Sequence, residues 1–426
     1  MSNTAIRRKE CLETKTVNVT KNNVIRKLLS PEEVTEVVRS VLNSEVDSVE
    51  YSIRSYSDGK LGYLGSHYCL TVIATMRKKK TATISFFLKT LPYEIPEQVE
   101  YVIQNGFFKQ EMLFYNTIMP LLRNKYHGES WAPMCYKMKD NLLIFEELIN
   151  KGYSIRDKLL DKTLMKAGLN AIARLHAASL MAEERLGLPF NQLYPEAFKN
   201  TDFDCNQKRK EWFEAGVNVA VAIAERLGHN SDLLHAAFEQ VNHGFKPSCT
   251  KANVLCHGDL WSNNLMFNND MPPKCLLVDY QLLRYAPLAH DVSQLLYLCG
   301  DRNFRETWES AMLRYYYKTL CETLDAHGVS LTQRPAWSEV VEGMEEQRLS
   351  ALITATIYFP TVLMNEKCSA QICNDPASFV EYVFRNRIES VFSNMEKDSA
   401  YGRRLNEAVA ELVELASRLD QLPKPS

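Results

Sequence analysis

The residues most able to do chemistry lie together in one octapeptide, HGDLWSNN, at positions 257–264. It follows the pattern His-x-Asp-Leu-x-x-x-Asn, in which the aspartate accepts a hydroxyl proton and the asparagine binds a metal ion. Phosphoryl transfer needs one carboxylate facing the attacking oxygen and a neutral oxygen ligand for Mg²⁺ close by. The octapeptide therefore predicts Asp259 as a general base, with His257 in the same catalytic loop, and Asn264 as a metal ligand.

A second carboxylate follows at a spacing that suits the same chemistry. Segments 265–267 and 276–278 predict a short hairpin, and Asp279 comes directly after it. An aspartate in that place could hold Mg²⁺ between β- and γ-phosphate oxygens of a nucleotide. His-x-Asp alone is common by chance, whereas the whole octapeptide followed by strand, turn, strand and aspartate is specific.

Two charged residues upstream complete the pattern. Lys89 ends a predicted strand at 81–89, where its ammonium group could reach α- and β-phosphate oxygens. Glu111 lies in a predicted helix at 106–122 and could pair with Lys89 to hold it in place. Either charge alone is typical of a protein surface, so the prediction depends on their order before the octapeptide.

Two backbone segments also suit a nucleotide. A glycine-rich turn separates the first two predicted strands, and Gly62, Gly65 and Ser66 in it could offer N–H groups to phosphates. The turn does not fit G-x-G-x-x-G, so an ordinary hairpin turn is a comparable interpretation. Glu146 and Leu148 lie at the end of the last strand of the first region, where a hinge backbone would meet adenine.

The elements that must position these residues divide the chain into two regions. Strands are predicted at 49–56, 67–76, 81–89, 134–138 and 142–146. Helices are predicted at 31–43, 106–122, 154–186, 206–228, 231–243, 304–327, 337–363, 376–395 and 402–420, and only the 265–278 hairpin interrupts the later ones. This order predicts an α+β protein with a protein-kinase-like two-lobed fold, strand-rich N-lobe and helical C-lobe.

The predicted domains follow from that division. Residues 1–29 form a polar N-terminal segment, residues 30–148 a nucleotide-binding N-lobe, and residues 149–426 a C-lobe with the catalytic loop and an acceptor pocket. The acceptor pocket is predicted to be built by the aromatic-rich helices after residue 300, which favours a hydrophobic alcohol over a cation.

Composition excludes several classes of protein. Fifty Lys and Arg residues against fifty-two Asp and Glu residues give a net charge of −2, which argues against nucleic acid or an anionic membrane as a partner. Eleven scattered cysteines without a C-x-x-C pair fit reduced thiols in the cytoplasm. No apolar signal core opens the sequence, and the longest apolar run is shorter than the ~20 residues of a membrane span. No obligate protein partner is indicated.

Four segments resemble one family, the ecdysteroid-kinase-like (CHK kinase-like) proteins of insects, which are related to choline kinase and aminoglycoside phosphotransferases. The segments are HGDLWSNNLMF, LLVDYQLLRYAPLAHDVSQLLY, ARLHAAS and FKQEMLFYNTIMP, and the resemblance covers roughly residues 30–420. It implies ATP- and Mg²⁺-dependent phosphorylation of a small-molecule hydroxyl.

The family's residues carry over to this sequence one by one. The resemblance implies Asp259 as base, Asn264 and Asp279 as metal ligands, and Lys89 with Glu111 as the phosphate-binding pair. It places the hinge at 146–148, where Glu146-Glu147 replaces the expected Glu-Asp.

Gly258 separates a small-molecule kinase from a protein kinase. Protein kinases usually carry arginine there, which links the loop to a phosphorylated activation segment. The short stretch between Asp279 and the helical pattern from His290 also leaves little room for such a segment. Within small-molecule kinases, a choline- or aminoglycoside-type enzyme and a ligand-binding pseudokinase are the alternatives.

Three other residues have open interpretations. Asp291 could cap the helix that follows it or hydrogen-bond the catalytic-loop backbone, and structural support is favoured over catalysis. His176 lies on an amphipathic pattern and is predicted to be a core histidine with satisfied hydrogen bonds. Trp261 could pack against the second lobe or line the acceptor pocket.

Overall fold

A computed structural model describes residues 28–57, 62, 64–77, 80–199 and 202–426. The predicted polar segment therefore lies almost wholly outside the described residues, as does the first part of the glycine-rich turn. The chain divides into a sheet unit, Met1–Pro92 with Met134–Leu148, and a helical unit, Tyr93–Pro133 with Ile149–Ser426. Strands dominate the first unit and helices the second, which confirms the α+β class. Residues Tyr93–Pro133, which the sequence analysis placed in the N-lobe, belong to the helical unit by their contacts. The boundaries of the functional domains stay a prediction.

The sheet unit holds one antiparallel sheet in the order β1-β2-β3-β5-β4. Its strands are β1 Val46–Ser55, β2 Ser66–Met76, β3 Lys80–Thr90, β4 Cys135–Lys139 and β5 Leu142–Glu146. All five predicted strands are thus confirmed. Their β-branched and aromatic residues pack one face of the sheet against helix α1, Pro31–Leu42.

Helix α1 begins where the sequence predicts. Ser30 Oγ accepts a hydrogen bond from Glu33 N at 3.2 Å, and Glu33 Oε2 accepts one from Ser30 N at 2.8 Å. This capping box satisfies two backbone donors that the first helical turn leaves without partners. Val34, Val37 and Val38 then face the sheet and are fully buried.

The helical unit is built mainly of α-helices. Before the catalytic loop they are α2 Pro96–Gln104, α3 Phe107–Leu113, α4 Met119–Arg123, α5 Lys162–Leu186, α6 Phe190–Leu193, α7 Gln207–Arg226 and α8 Asp232–Phe238. After it they are α9 Ala289–Cys299, α10 Arg302–Ala326, α11 Trp337–Val362, α12 Glu366–Cys373, α13 Pro376–Phe384, α14 Ile388–Lys397 and α15 Ser399–Ala416. A π-helical turn, Phe114–Ile118, joins α3 to α4.

Two pairs of short strands lie in the helical unit. The predicted hairpin is confirmed as β7 Leu265–Phe267 with β8 Cys275–Leu277. The expectation of only one hairpin is wrong, because β6 Asn253–Cys256 pairs with β9 Arg284–Pro287 on either side of the catalytic loop. These strands are 28 or more residues apart in sequence, so no local turn signal reveals their pairing.

Three predicted helices are too long, and one of them, at 231–243, ends as an α-helix at Phe238. The helix at 154–186 begins only at Lys162, because Asp161 Oδ1 caps it by accepting from Thr163 N and Leu164 N, both at 2.8 Å. The helix at 376–395 is broken between α13 and α14, where the buried Arg387 donates to Trp212 O at 2.6 Å. Asn365 caps a helix that the sequence pattern missed, α12.

Helix α9 is the centre of the helical unit. All eleven of its residues are buried, and it packs against α5 and α11. A helix buried on every side is expected to be apolar all round, yet α9 carries His290, Asp291, Ser293 and Gln294. Their polar atoms need partners inside the protein, and the catalytic loop supplies several of them.

Among the described residues, no helix combines the length and apolar character that crossing a membrane requires.

Candidate active site

The catalytic loop follows strand β6, and side chains of helix α9 hold it in place by hydrogen bonds to its backbone. Asp291 Oδ2 accepts a hydrogen bond from His257 N at 2.7 Å, and Asp291 Oδ1 accepts one from Gly258 N at 3.0 Å. Gln294 adds two contacts, because its Oε1 accepts from Leu260 N at 3.1 Å and its Nε2 donates to Gly258 O at 3.0 Å. Two side chains one helical turn apart on α9 thus hold four consecutive peptide groups, from 256–257 to 259–260.

Asp291 is supported in turn by two residues from other helices. His176 of α5 lies 3.2 Å from Asp291 Oδ2 through Nε2, and 2.7 Å from Tyr316 Oη of α10 through Nδ1. We call His176, Asp291, Gln294 and Tyr316 the loop anchor. His176 is therefore the core histidine that the sequence predicted, and Asp291 bonds the loop backbone and does not cap its helix.

The charge of Asp291 is stable in this setting. Burial by itself raises the pKa of the carboxyl group, but the hydrogen bond and charge of His176, with further help from His290 and His257, lower it to about 2. Cys256 lies beside His176 and Asp291, but burial, followed by the Asp291 charge, raises the pKa of its thiol well above the usual value. A neutral thiol is a poor metal ligand, so these three residues form a scaffold.

The predicted base and metal ligand contact each other. Asn264 Nδ2 donates to Asp259 Oδ2 at 2.9 Å and to Asp259 O at 2.8 Å. Asp259 and Asn264 are only 5% and 4% exposed, so this pair is shielded from bulk water. With the amide nitrogen used in this way, the amide oxygen accepts no hydrogen bond from any described residue. It is therefore available as a hard oxygen ligand.

The β7–β8 hairpin brings Asp279 next to Asn264. Val278 N donates to Asn264 O at 3.0 Å, and His257 Nε2 lies 3.0 Å from Val278 O. Asp279 has φ 70°, a left-handed conformation that few residues other than glycine adopt. Such strain is common at functional sites, where the surrounding structure imposes it.

His257 holds the loop together through its ring. Its Nδ1 accepts from Asp259 N at 3.3 Å, which leaves Nε2 to donate to Val278 O. The ring is fully buried and lies 4.5 Å from the ring of Tyr280. This geometry gives His257 a positioning function between the two carboxylates, and a direct role in catalysis stays a prediction.

The residue after Asp279 contacts the helix region that carries Glu111. Tyr280 stacks on Phe114 with ring centroids 3.9 Å apart and planes 10° from parallel. Glu111 precedes this π-helical turn and is 1% exposed. Lys89 belongs to the sheet unit and Glu111 to the helical unit, and their ion pair stays a prediction.

In the sheet unit, the structure brings Lys89, Gly65 and Ser66 together. Ser66 pairs with Thr90 and His67 with Lys89 across β2 and β3. A methyl group on Gly65 would lie 3.3 Å from Lys89 Cε, so the lysine side chain passes over this glycine. Gly62, on the same turn, has φ 73°, which favours glycine.

The predicted hinge lies at the end of β5. Glu146 Oε1 accepts from Met134 N at 2.7 Å, and Glu146 N donates to Met134 O at 3.0 Å. Glu147 Oε1 accepts from Tyr56 Oη at 2.7 Å, and Leu148 is buried. Both acidic side chains are thus engaged by the sheet unit, so nucleotide contacts here would come from the backbone.

Trp261 occupies the far end of the catalytic loop. Lys158 Nζ lies 5.2 Å from its ring and 2.8 Å from Asn263 Oδ1. These contacts show packing within the helical unit, and a place in the acceptor pocket stays a prediction.

Sequence reasoning missed two buried arginines near the loop, Arg209 of α7 and Arg284 of β9, which we call the arginine pair. Arg284 interrupts the apolar run LLRYAPL, and a charged residue within such a run was a signal that it is buried. Arg209 lies in the charged stretch KRKEW, which resembles a solvated helix face and hides it.

The loop, the hairpin and Asp279 have the arrangement that the sequence predicts for a phosphoryl-transfer site, and the roles of these residues stay a prediction. The chain is a small-molecule kinase. A family model described as ecdysteroid kinase-like matches residues 62–329. The match covers more than half of the chain, and the chain belongs to the ecdysteroid kinase-like family.

Solved structures of small-molecule kinases also resemble the chain. An ethanolamine kinase from Plasmodium vivax is 14% identical with a TM-score of 0.43, covering 93% of this chain and 87% of its own. A choline kinase from Streptococcus pneumoniae is 14% identical with a TM-score of 0.35, covering 90% and 98%. A putative aminoglycoside phosphotransferase from Ralstonia eutropha is 11% identical with a TM-score of 0.39, covering 89% and 98%. Curated proteins gave no match.

Proposed function

We propose that the protein transfers the γ-phosphoryl group of ATP, with Mg²⁺, to a hydroxyl group of a small and largely apolar alcohol, such as an ecdysteroid-like or xenobiotic alcohol. The observation that carries this proposal is the buried contact between Asp259 and Asn264 in a loop that the anchor holds rigidly. A fixed carboxylate beside a free amide oxygen is the minimum that in-line transfer to a hydroxyl group needs.

Asp259 acts on the acceptor. Asn264 donates to one carboxylate oxygen and so sets the orientation of the other, which accepts the hydroxyl proton as the new O–P bond forms. The loop anchor keeps this orientation because Gln294 holds the peptides on both sides of Asp259. Little reorganisation is then needed when the acceptor binds, which is the main source of catalysis by positioning.

Two oxygen ligands fit a magnesium ion. The carboxylate of Asp279 and the amide oxygen of Asn264 are hard donors of the kind that Mg²⁺ prefers, and the hairpin brings their backbones together. When bound there, Mg²⁺ would neutralise charge on the phosphate oxygens.

The sheet unit supplies the nucleotide contacts. Lys89 beside Gly65 and Ser66 suits phosphate oxygens, and Glu111 is its proposed partner. The backbone at Glu146–Leu148 is the proposed adenine contact.

We place the protein in the cytoplasm, because all ten described cysteines are free thiols.

Asp259→Asn tests the base. Nucleotide binding, measured by titration calorimetry with a non-hydrolysable ATP analogue, should stay within about twofold of wild type. Turnover of an alcohol found by a γ-phosphate transfer screen should fall ~10²–10⁴-fold. Asp420→Asn, at an exposed position, is the matched control. Wild-type turnover in Asp259→Asn would remove the proposed base, and no transfer by the wild-type chain to any screened alcohol would favour a pseudokinase.

The metal ligands are tested by Mg²⁺ dependence. Asn264→Ala and Asp279→Ala should both raise the Mg²⁺ concentration that gives half-maximal turnover, and Asp259→Asn should raise it less. Unchanged Mg²⁺ dependence in all three variants would contradict the ligand assignment.

A further inference from the structure

The arginine pair is buried and has polar atoms without partners. Arg209 and Arg284 are 3% and 2% exposed. Nε and Nη2 of Arg209, and Nε and Nη1 of Arg284, have no hydrogen-bond partner among the described residues. A buried charged group without partners is strongly unfavourable, so a native protein rarely keeps one without a use.

Other buried arginines of the helical unit are better satisfied, since Arg387 and Arg404 each lack a partner among the described residues only at Nε. Arg387 donates to Trp212 O at 2.6 Å, and Arg404 donates to Gly300 O at 3.2 Å and also bonds Glu407. By contrast, Arg209 donates only to Tyr101 Oη, at 3.3 Å, and neither member of the pair forms an ion pair with a described carboxylate. Asp202 acts on Arg284 only through its charge, so the N–H donors of the pair that lack partners among the described residues can still bind an anion.

Aromatic rings connect the two guanidinium groups. We call Phe203, Trp212, Phe245 and Tyr358 the aromatic cluster. The Arg209 guanidinium carbon lies 4.9 Å from the ring centroid of Trp212, and that of Arg284 lies 3.7 Å from Phe245. Phe203 joins these rings, since its centroid is 5.5 Å from Trp212 and 5.0 Å from Phe245. Tyr358 extends the cluster, 5.8 Å from Trp212.

The arginine pair is also next to the catalytic loop. Arg284 lies opposite Cys256, the residue before the loop, and a methyl group on Gly258 would lie 3.2 Å from Arg284 Cγ. Burial raises the pKa of Tyr358, the Asp259 carboxylate raises it further, and the cations of Arg209 and Arg284 lower it. One phenol is thus within electrostatic reach of Asp259 and of both arginines.

We propose that the arginine pair binds an oxyanion, a carboxylate in particular, that belongs to the same acceptor molecule whose hydroxyl group faces Asp259. This inference rests on the proposed function and narrows its substrate to an apolar alcohol that carries an acid group. Two guanidinium groups can bind a carboxylate through parallel N–H···O bonds, and the aromatic cluster covers the apolar body.

The acid group stays unchanged in the reaction. The hydroxyl oxygen forms the new bond to the γ-phosphorus atom, the bond to the bridging oxygen breaks to leave ADP, and the proton passes to Asp259. A cationic acceptor such as choline is disfavoured, because two buried guanidinium groups that form no ion pair with a described carboxylate would repel it. Nucleotide phosphates are disfavoured as the occupant, because aromatic rings are poor surroundings for a hydrated triphosphate.

The test compares cholate with its methyl ester, two hydroxylated molecules that differ in one charge. Binding is measured by titration calorimetry without nucleotide, so the result does not depend on turnover. Wild type should bind cholate about tenfold or more tightly than the ester, because a charge-assisted hydrogen bond is lost in the ester. Arg209→Met and Arg284→Met should each remove most of that ratio, and Arg284→Lys should keep part of it.

Arg404→Met is the matched control, since Arg404 is buried but bonded to Glu407. It should leave the ratio of acid to ester unchanged. Equal binding of acid and ester by wild type would overturn the proposal, as would an acid preference that survives both methionine variants. Competition between ATP and cholate that disappears in these variants would assign the pair to nucleotide phosphates and also overturn it. Acid-selective binding without transfer to any alcohol would keep the anion site and reject the proposed function.

Discussion

The loop anchor and the arginine pair are two buried polar clusters in the same unit, and their hydrogen bonding differs. In the loop anchor, Asp291 accepts two backbone N–H bonds, and His176 has a partner on each ring nitrogen. In the arginine pair, four guanidinium nitrogens lack partners among the described residues. Both clusters lie within reach of the catalytic loop, one on the side of helix α9 and one at Gly258.

This difference separates scaffold from binding site. A fully bonded polar cluster stabilises one conformation, because breaking any contact leaves another buried group unsatisfied. A cluster with free donors gains its partners only when a ligand arrives, so it contributes to binding at a cost in stability. The comparison therefore predicts a large loss of stability when the loop anchor is changed and a small effect when the arginine pair is changed.

Asp291→Ala should have the largest effect on stability. Two backbone donors and His176 lose their acceptor, each at a cost of about 1–3 kcal/mol, so the free energy of unfolding should fall by about 3 kcal/mol or more. Urea unfolding followed by circular dichroism measures it. A loss below about 1 kcal/mol would break the comparison, since the anchor would then not support the fold.

Gly258→Ala should come next. Gly258 has φ 76°, and a methyl group there would lie 2.0 Å from Leu282 O. Strain and overpacking together should cost about 2–4 kcal/mol and disturb the loop beside Asp259. Gly152→Ala is the control, because Gly152 has φ 79° but no atom within 4 Å of the added methyl group. It should cost only about 1–2 kcal/mol, and equal losses in the two variants would exclude the steric argument.

Acidic pH should lower the free energy of unfolding by a smaller amount than either substitution, because it weakens the loop anchor. The folded pKa of Asp291, about 2, lies below its ordinary value of 3.8, so its carboxylate stabilises the fold above pH 4. That contribution, about 2 kcal/mol, should be lost as the pH falls from 4 through 2. Unfolding free energies of wild type and Asp291→Asn, compared at each pH, should converge over this window. A constant difference between them would contradict the prediction.

Arg284→Met should have the smallest effect on stability. The substitution removes donors that have no partner and keeps much of the apolar stem beside Phe245, so the free energy of unfolding should change by less than about 1 kcal/mol. Urea unfolding of Arg284→Met and Asp291→Ala, measured side by side, compares the two losses in free energy of unfolding directly. Destabilisation as large as that of Asp291→Ala would show that Arg284 is part of the scaffold.

Much of the site could be predicted from the sequence. Asp259 and Asn264 are five residues apart, so their contact needs only the local turn of the loop. The spacing of the following hairpin likewise brings Asp279 back to Asn264, and Ser30 with Glu33 marks the start of α1. The kinase class depended on these short-range patterns and was confirmed.

Other predictions failed where a distant residue decided the outcome. The paired strands β6 and β9 were missed, because their turn is the whole catalytic region and gives no local signal. The helix at 154–186 was predicted eight residues too early, because Ser154 pairs with Phe267 and extends the backbone there.

The sequence by itself determined the local arrangement of the loop, since the spacing of Asp259, Asn264 and Asp279 is set by short covalent connections. Only the tertiary structure decided which buried polar groups have partners. Asp291 finds His257 across 34 residues and His176 across 115, whereas the arginine pair finds no acceptor among the described residues. Hydrogen bonds require donor and acceptor within about 3 Å, and whether distant residues come that close depends on how the helices pack.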